Sequence, residues 1–245
     1  MKRFWFAAWC FLLPTITTAD GHVDAEPTVY EVYDCSLKEG AAISDVVNLG
    51  SGDFADFVSK HEVNMSSYLW EAVSVNEPYD DADFRWVNYY PTWSDYFTAI
   101  NTMRANGEKI SSQAEKLMGC DKPDLGGLHL AGADVPEAPE KPLYIRVCKL
   151  KPGNTIKTAL AYRKAVNKAQ NSQLEGAVGS FVFTPGFGNA GFDYAAAVTG
   201  LPADMIQLMD NFRDGSVIKI LEEAGVTEVG DCSTDLHRSY MMVAQ

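Results

Sequence analysis

Histidine and positive charge are what this 245-residue sequence has least of: four histidines, and 20 lysines and arginines against 33 aspartates and glutamates. The histidines, His22, His61, His129 and His237, show no HxH, HxxxH or HExxH spacing, so no metal site is expected. No nucleophile elbow is present, and no Ser/His/Asp set can be assembled from spacing. A formal net charge of −13 repels phosphate backbones and anionic lipid, which removes nucleic acid from the expected partners. After residue 20 no apolar run reaches the roughly 20 residues that span a bilayer, so no membrane is expected to hold the mature chain. Apolar content of 47% and aromatic content of 11% are enough for a folded core, and the acidity is read as a solubilising surface.

The first residues read as an export signal over residues 1–19. Lys2 and Arg3 supply the positive start, Phe4 to Leu13 an apolar run too short to span, and Pro14 a break. Thr17 and Ala19 then provide small residues before a cleavage point at Asp20. The expected location is therefore periplasmic or extracellular. Cleavage leaves Cys35, Cys120, Cys148 and Cys232, an even number in a compartment that permits disulfides.

The chain also repeats itself. Tyr30–Gly40 reads YEVYDCSLKEG and Leu143–Gly153 reads LYIRVCKLKPG, matching Cys35 to Cys148, Leu37 to Leu150, Lys38 to Lys151 and Gly40 to Gly153. Cys120 lies 85 residues after Cys35, and Cys232 lies 84 after Cys148. Between these anchors Phe84-Arg85-Trp86 matches Phe192-Asp193-Tyr194, which makes Asp193 the expected counterpart of Arg85. Such self-similarity points to one unit used twice.

Period and punctuation predict the elements of each copy. In the first, a strand over Val29–Leu37 precedes a helical region from Ala41 to about His61, interrupted at Gly50-Ser51-Gly52. Strands over Ser67–Val75 and Phe84–Tyr90 are joined by the acidic turn Asn76–Asp83. A helix capped by Thr92 is expected to bury Trp93, Phe97 and Ile100, and a last strand covers Leu125–Leu130. In the second copy a strand over Leu143–Leu150 leads to a helix from Asn154 to about Gln170. Strands over Ala177–Thr184 and Phe192–Val198 follow, then a helix opened by Pro202 that buries Met205, Leu208, Met209 and Phe212. A helix over Val217–Glu223 and a strand near His237–Val243 complete it.

Each copy thus reads β-α-β-β-α-β, an α+β class with two tandem ferredoxin-like repeats: 28–131, a linker 132–142, and 143–245. In this topology the end of the first strand lies beside the start of the last, so pairing within copies, Cys35–Cys120 and Cys148–Cys232, is expected. Two such units in one chain resemble the dimeric α+β barrel superfamily in its fused, pseudo-dimeric form. The resemblance implies sheets packed into a barrel with helices outside. That superfamily spans cofactor-independent monooxygenases, small lyases and cyclases, haem proteins and stress-responsive barrels, so the fold implies no single activity.

The remaining motifs are weighed one by one. Gly186 to Gly191 matches G-x-G-x-x-G, but a strand follows where phosphate binding needs a helix N-terminus, so a hairpin turn is expected. Asp80, Asp81 and Asp83 lack the ligand spacing of a calcium loop and read as a solvated turn. Asn64-Met65-Ser66 has the form of a glycosylation sequon.

Aromatic residues crowd the central hairpin of the first copy: Tyr68, Trp70, Trp86, Tyr89, Tyr90 and Trp93, with Glu71 and Arg85 among them. Arg85 alternates with Phe84 and Trp86, so it points to the opposite sheet face and needs an anionic partner there: Asp193, Glu71 or a ligand. The candidate ligand-binding set is Arg85, Glu71, Trp70, Trp86, Asp193 and Tyr194, with His129 and His237 the candidate catalytic bases. The expected function is an exported soluble protein that binds a small apolar or aromatic molecule in the barrel, with no cofactor. A cofactor-independent monooxygenase-like or lyase-like enzyme, and an interaction protein with a filled barrel, are the alternatives.

Overall fold

The computed structural model describes residues 28–76, 81–133, 135–188 and 191–244; the signal-peptide reading and Asp80 lie outside the described residues. The chain runs β1 (Thr28–Leu37), α1 (Ile43–Leu49), α2 (Ala55–Lys60), β2 (Ser66–Ser74), β3 (Phe84–Tyr90), α3 (Trp93–Asn106), α4 (Glu108–Leu117), β4 (Met118–Cys120) and β5 (Asp124–Leu130). It continues through β6 (Glu140–Leu150), α5 (Ile156–Asn171), β7 (Val178–Phe187), β8 (Tyr194–Gly200), α6 (Pro202–Arg213), α7 (Ser216–Glu223) and β9 (Gly230–Val243). Strand order is β3-β2-β9-β6-β8-β7-β5-β1, and β1 pairs back onto β3. The result is a closed antiparallel barrel of eight strands, with short β4 paired only to β1. Closure leaves these strands no unpaired edge.

Strand alternation divides the side chains into two environments. One face of the barrel strands packs inward as a single cluster drawing on both halves of the chain: Tyr30, Trp70, Val87, Leu143, Ile145, Phe183, Ala195 and Ala197. The other face carries separate cores under the helices, one around Val46, Phe54, Phe84 and Trp86, another around Val166, Met205, Leu208 and Val217. Caps define the helix starts: Thr92 accepts from the Asp95 amide at α3, and Thr155 from the Thr158 amide at α5.

Geometry recurs between the halves. Gly40 and Gly153 both hold positive φ (82° and 84°), where glycine carries no Cβ penalty, in the turns after β1 and β6. Asp83 accepts from the Leu37 amide as Asp193 does from that of Leu150. Cys35 is bridged to Cys120 and Cys148 to Cys232, each pair directly opposite across its ladder.

Several expectations are corrected. Phe84 stands opposite Cys35, but Tyr194, not Phe192, stands opposite Cys148; the counterpart of Arg85 is therefore Ala195, and Asp193 matches Asp83. Gly50-Ser51-Gly52 does not interrupt the helix: Gly50–Phe54 form a π-turn continuous with α1 and α2. A side chain at Gly50 would meet Met242 Sδ at 2.0 Å, so the glycine is there to let β9 approach. β6 begins at Glu140, inside the expected linker, and β9 begins at Gly230, which places Cys232 within the strand. α4 and β4 had no expectation. Trp93 and Phe97 are 40% and 59% exposed, and of α3 only Ala99 is fully buried. Met209 and Phe212 are also partly exposed.

Candidate functional site

The lumen of the barrel is mostly filled. Trp70 and Phe183 meet edge-on at 5.8 Å across its middle, and Tyr30 meets Phe183 at 5.2 Å. A space of about 50 Å³ remains at one end, walled by Val32, Asp34, Arg85 and Asp124 among others, and one of about 270 Å³ at the other. Arg85 projects into the lumen, 6% exposed, and its Nε donates to Asp34 Oδ1 at 2.7 Å. Asp34 thus pairs with Arg85, where Asp193 or Glu71 was expected. Arg85 Nη1 also lies 3.5 Å from His237 Nε2. A guanidinium can only donate, so this nitrogen of His237 carries the lone pair.

His237 is a poor general base here. Burial, and then the adjacent Arg85 charge, push its pKa down to about 3, so the ring is neutral and its lone pair faces a cation. His129 belongs elsewhere: its Nε2 lies 3.2 Å from Thr184 Oγ1, which itself donates to the Gly127 carbonyl. The two histidines are not brought into one constellation with Arg85.

The other nominated residues also part company. Trp70 lines the lumen, but Trp86 faces the helices, stacks edge-on with Phe54 at 5.3 Å and donates from Nε1 to Asn88 Oδ1. Glu71 accepts from the Tyr240 hydroxyl and pairs with Arg238 at 3.7 Å. Asp193 is held by the Leu150 amide and by Lys149. Tyr194 is buried on the outer face, near the Cys232 sulfur. Side-chain period alone separates these residues onto opposite faces.

A larger space than either lies outside the barrel. A cleft of about 980 Å³ lies between the outer face of β6 and β9 and the helices α5, α6 and α7. Tyr144, Arg146, Thr234 and Leu236 come from the strands, Tyr162, Arg163 and Val166 from α5. Met209, Phe212 and Ile218, three of the exposed large apolar side chains, form part of its wall, so their exposure is concentrated on one concave surface.

Two arginines line this cleft. Arg146 is ion-paired with Glu228. Arg163 has no ion pair among the described residues: 1% exposed, it donates from Nη2 to the Ser180 hydroxyl at 3.2 Å. Its Nε has no acceptor among the described residues. An arginine keeps its charge in proteins, and a buried charge without a counter-charge is costly. The donor set around the cleft contains no histidine or cysteine, so it does not fit a thiolate- or imidazole-held metal group.

Sequence reasoning passed over Arg146, Tyr162 and Arg163. A signal existed: Arg163 falls between Ala159 and Val166 on the apolar face of α5, where an arginine is out of pattern. Arg146 interrupts an otherwise apolar strand core in the same way.

No protein-family model and no curated protein matches the chain. Solved structures do. A putative monooxygenase from Fusobacterium nucleatum aligns at a TM-score of 0.54 with 13% identity, over 89% of this chain and 93% of its own. A doubly substituted chlorite dismutase from Candidatus Nitrospira defluvii aligns at 0.52 with 10% identity, again over 89% and 93%. A singly substituted form of that enzyme gives 0.51 and 9%, over 89% and 92%. Likeness at these identities is one of fold, and the fold this chain shares with them is the dimeric α+β barrel.

Proposed function

We propose that this chain is an exported small-molecule binding protein whose ligand occupies the cleft under α5, α6 and α7, not the barrel lumen. The ligand has an apolar body and one anionic group. The observation that carries this reading is Arg163: a buried guanidinium with no carboxylate at ion-pair distance among the described residues, at the wall of a mostly apolar cleft of about 980 Å³. A ligand anion would supply the missing counter-charge, and Phe212, Met209 and Ile218 would be covered by its body. The enzyme alternative rests on the likeness to a protein called a putative monooxygenase, while Arg85, His129 and His237 do not assemble to support it.

We also propose that the two halves, 28–131 and 143–245 with the linker 132–142, are diverged ferredoxin-like copies of one β-α-β-β-α-β unit. The paired disulfides, the positive-φ glycines and the matched Asp83 and Asp193 bonds support this.

The test is calorimetric titration with laurate and with its neutral methyl ester. A charge-assisted bond of about 1.5–3 kcal/mol predicts that laurate binds about ten- to a hundredfold more tightly than the ester. Arg163→Met should erase that difference while raising stability by about 1–3 kcal/mol, because an uncompensated charge leaves the interior. Equal affinities for acid and ester in the unsubstituted protein would overturn the reading.

A further inference from the structure

The 270 Å³ space at the other end of the lumen has its own chemistry, independent of the cleft. Its walls are the rings of Tyr68, Trp70, Tyr89, Phe181 and Phe183, contributed by both halves of the chain. Lys141 lies among them. On β6 it shares a face with Leu143 and Ile145, the lumen face, and it stands opposite Ser239 of β9. Tyr144 and Arg146 project from the opposite face toward the cleft, so the strand itself separates the two sites.

A lysine on the inward face of a barrel strand is an exception that needs a reason. The ordinary reason would be a carboxylate partner, but among the described residues none lies within ion-pair distance of Lys141. Among the described residues its Nζ makes one long hydrogen bond, to the Pro136 carbonyl at 3.5 Å. The ammonium is therefore poorly compensated, in a chamber whose other side-chain polar groups are uncharged: the hydroxyls of Thr28, Ser66, Tyr68, Tyr89, Thr199 and Ser239 and the Trp70 indole.

We propose that the mouth of the barrel is a second ligand site, taking an aromatic aldehyde or ketone of one or two rings whose carbonyl carbon meets the Lys141 amine. The rings of the wall would hold the ring of the ligand. The nitrogen lone pair bonds to the carbonyl carbon, and the C=O π pair passes to oxygen. Both N–H protons move to that oxygen, which leaves as water, giving an imine. The condensation needs no oxidant or reductant, and hydrolysis reverses it. Burial lowers the pKa of Lys141, outweighing the opposing charge of Glu137, and so enlarges the fraction of free amine.

The probe is 2-naphthaldehyde with cyanoborohydride, which fixes the imine as a stable amine for peptide mapping. Lys141 should be the principal adduct, formed about tenfold faster than at exposed Lys109 and Lys149, since the aromatic wall holds the ring of the probe beside its amine. 2-Methylnaphthalene, which fills the chamber without a carbonyl, should slow the reaction at Lys141 and leave the exposed lysines unaffected. Lys141→Arg should fold and be labelled at background only. Labelling spread evenly over the lysines, or indifference to 2-methylnaphthalene, would overturn the proposal. Because no lysine lines the cleft, neither result bears on the laurate test.

Discussion

His237 should make this protein lose stability in acid by an amount that one substitution removes. The ring is buried beside Arg85, and burial first, then that charge, lower its pKa from 6.5 to about 3. The neutral form is the one the fold accepts. The stabilisation is thus complete above the unfolded value of 6.5, falls as the pH drops through the window below it, and is gone near pH 3. Each pH unit in that window is worth 1.36 kcal/mol, so between pH 7 and pH 4 the loss from this one group is about 3 kcal/mol. Carboxylates titrate over the same range, and the comparison must cancel them. Urea unfolding of the unsubstituted protein and of His237→Gln, measured at pH 7, 6, 5 and 4, does so, because every other titrating group is common to both. The difference in unfolding free energy should narrow by about 3 kcal/mol from pH 7 to pH 4. Arg85→Leu should reduce the slope without abolishing it, since burial is the larger cause. Parallel pH curves for the unsubstituted protein and His237→Gln would refute the placement of a neutral imidazole against Arg85.

Three further outcomes are expected. Serine in place of both members of either bridge, Cys35–Cys120 or Cys148–Cys232, should cost about 2–5 kcal/mol in urea unfolding, with non-reducing peptide mapping confirming the pairing beforehand. Glu31, 1% exposed, accepts from the hydroxyls of Tyr33 and Tyr90 and from Asn88 Nδ2, so Glu31→Leu strands three donors and should cost about 3–5 kcal/mol by the same measurement. Mass spectrometry of the protein from its native host should find a mature N-terminus at or near Asp20, and an intact Met1 would remove the export proposal.

Local rules carried much of the architecture. Cys35 and Cys148, both followed by Leu-Lys and a glycine and by a second cysteine 85 and 84 residues on, marked both bridges within the repeated element order. Thr92, Asp95 and Pro202 marked helix starts because capping and a fixed φ act within one turn of chain. The inward direction of Arg85 followed from the period of two in a strand.

What lay beyond reach was everything set by closure of the barrel. Phe84-Arg85-Trp86 and Phe192-Asp193-Tyr194 look equivalent as strings, but ladder register depends on hydrogen bonds to β1 and β6, and it pairs Arg85 with the position of Ala195. Asp34 becomes the partner of Arg85 across 51 residues because β1 and β3 are neighbours in the sheet. Arg163 shows the same limit from the other side. Its pattern breach on α5 was legible, but the absence of a carboxylate at ion-pair distance among the described residues was not, because that depends on where the packed strands and helices carry their carboxylates. Secondary structure follows from neighbours along the chain; a charge's compensation follows from neighbours in space, and only the packed fold chooses those.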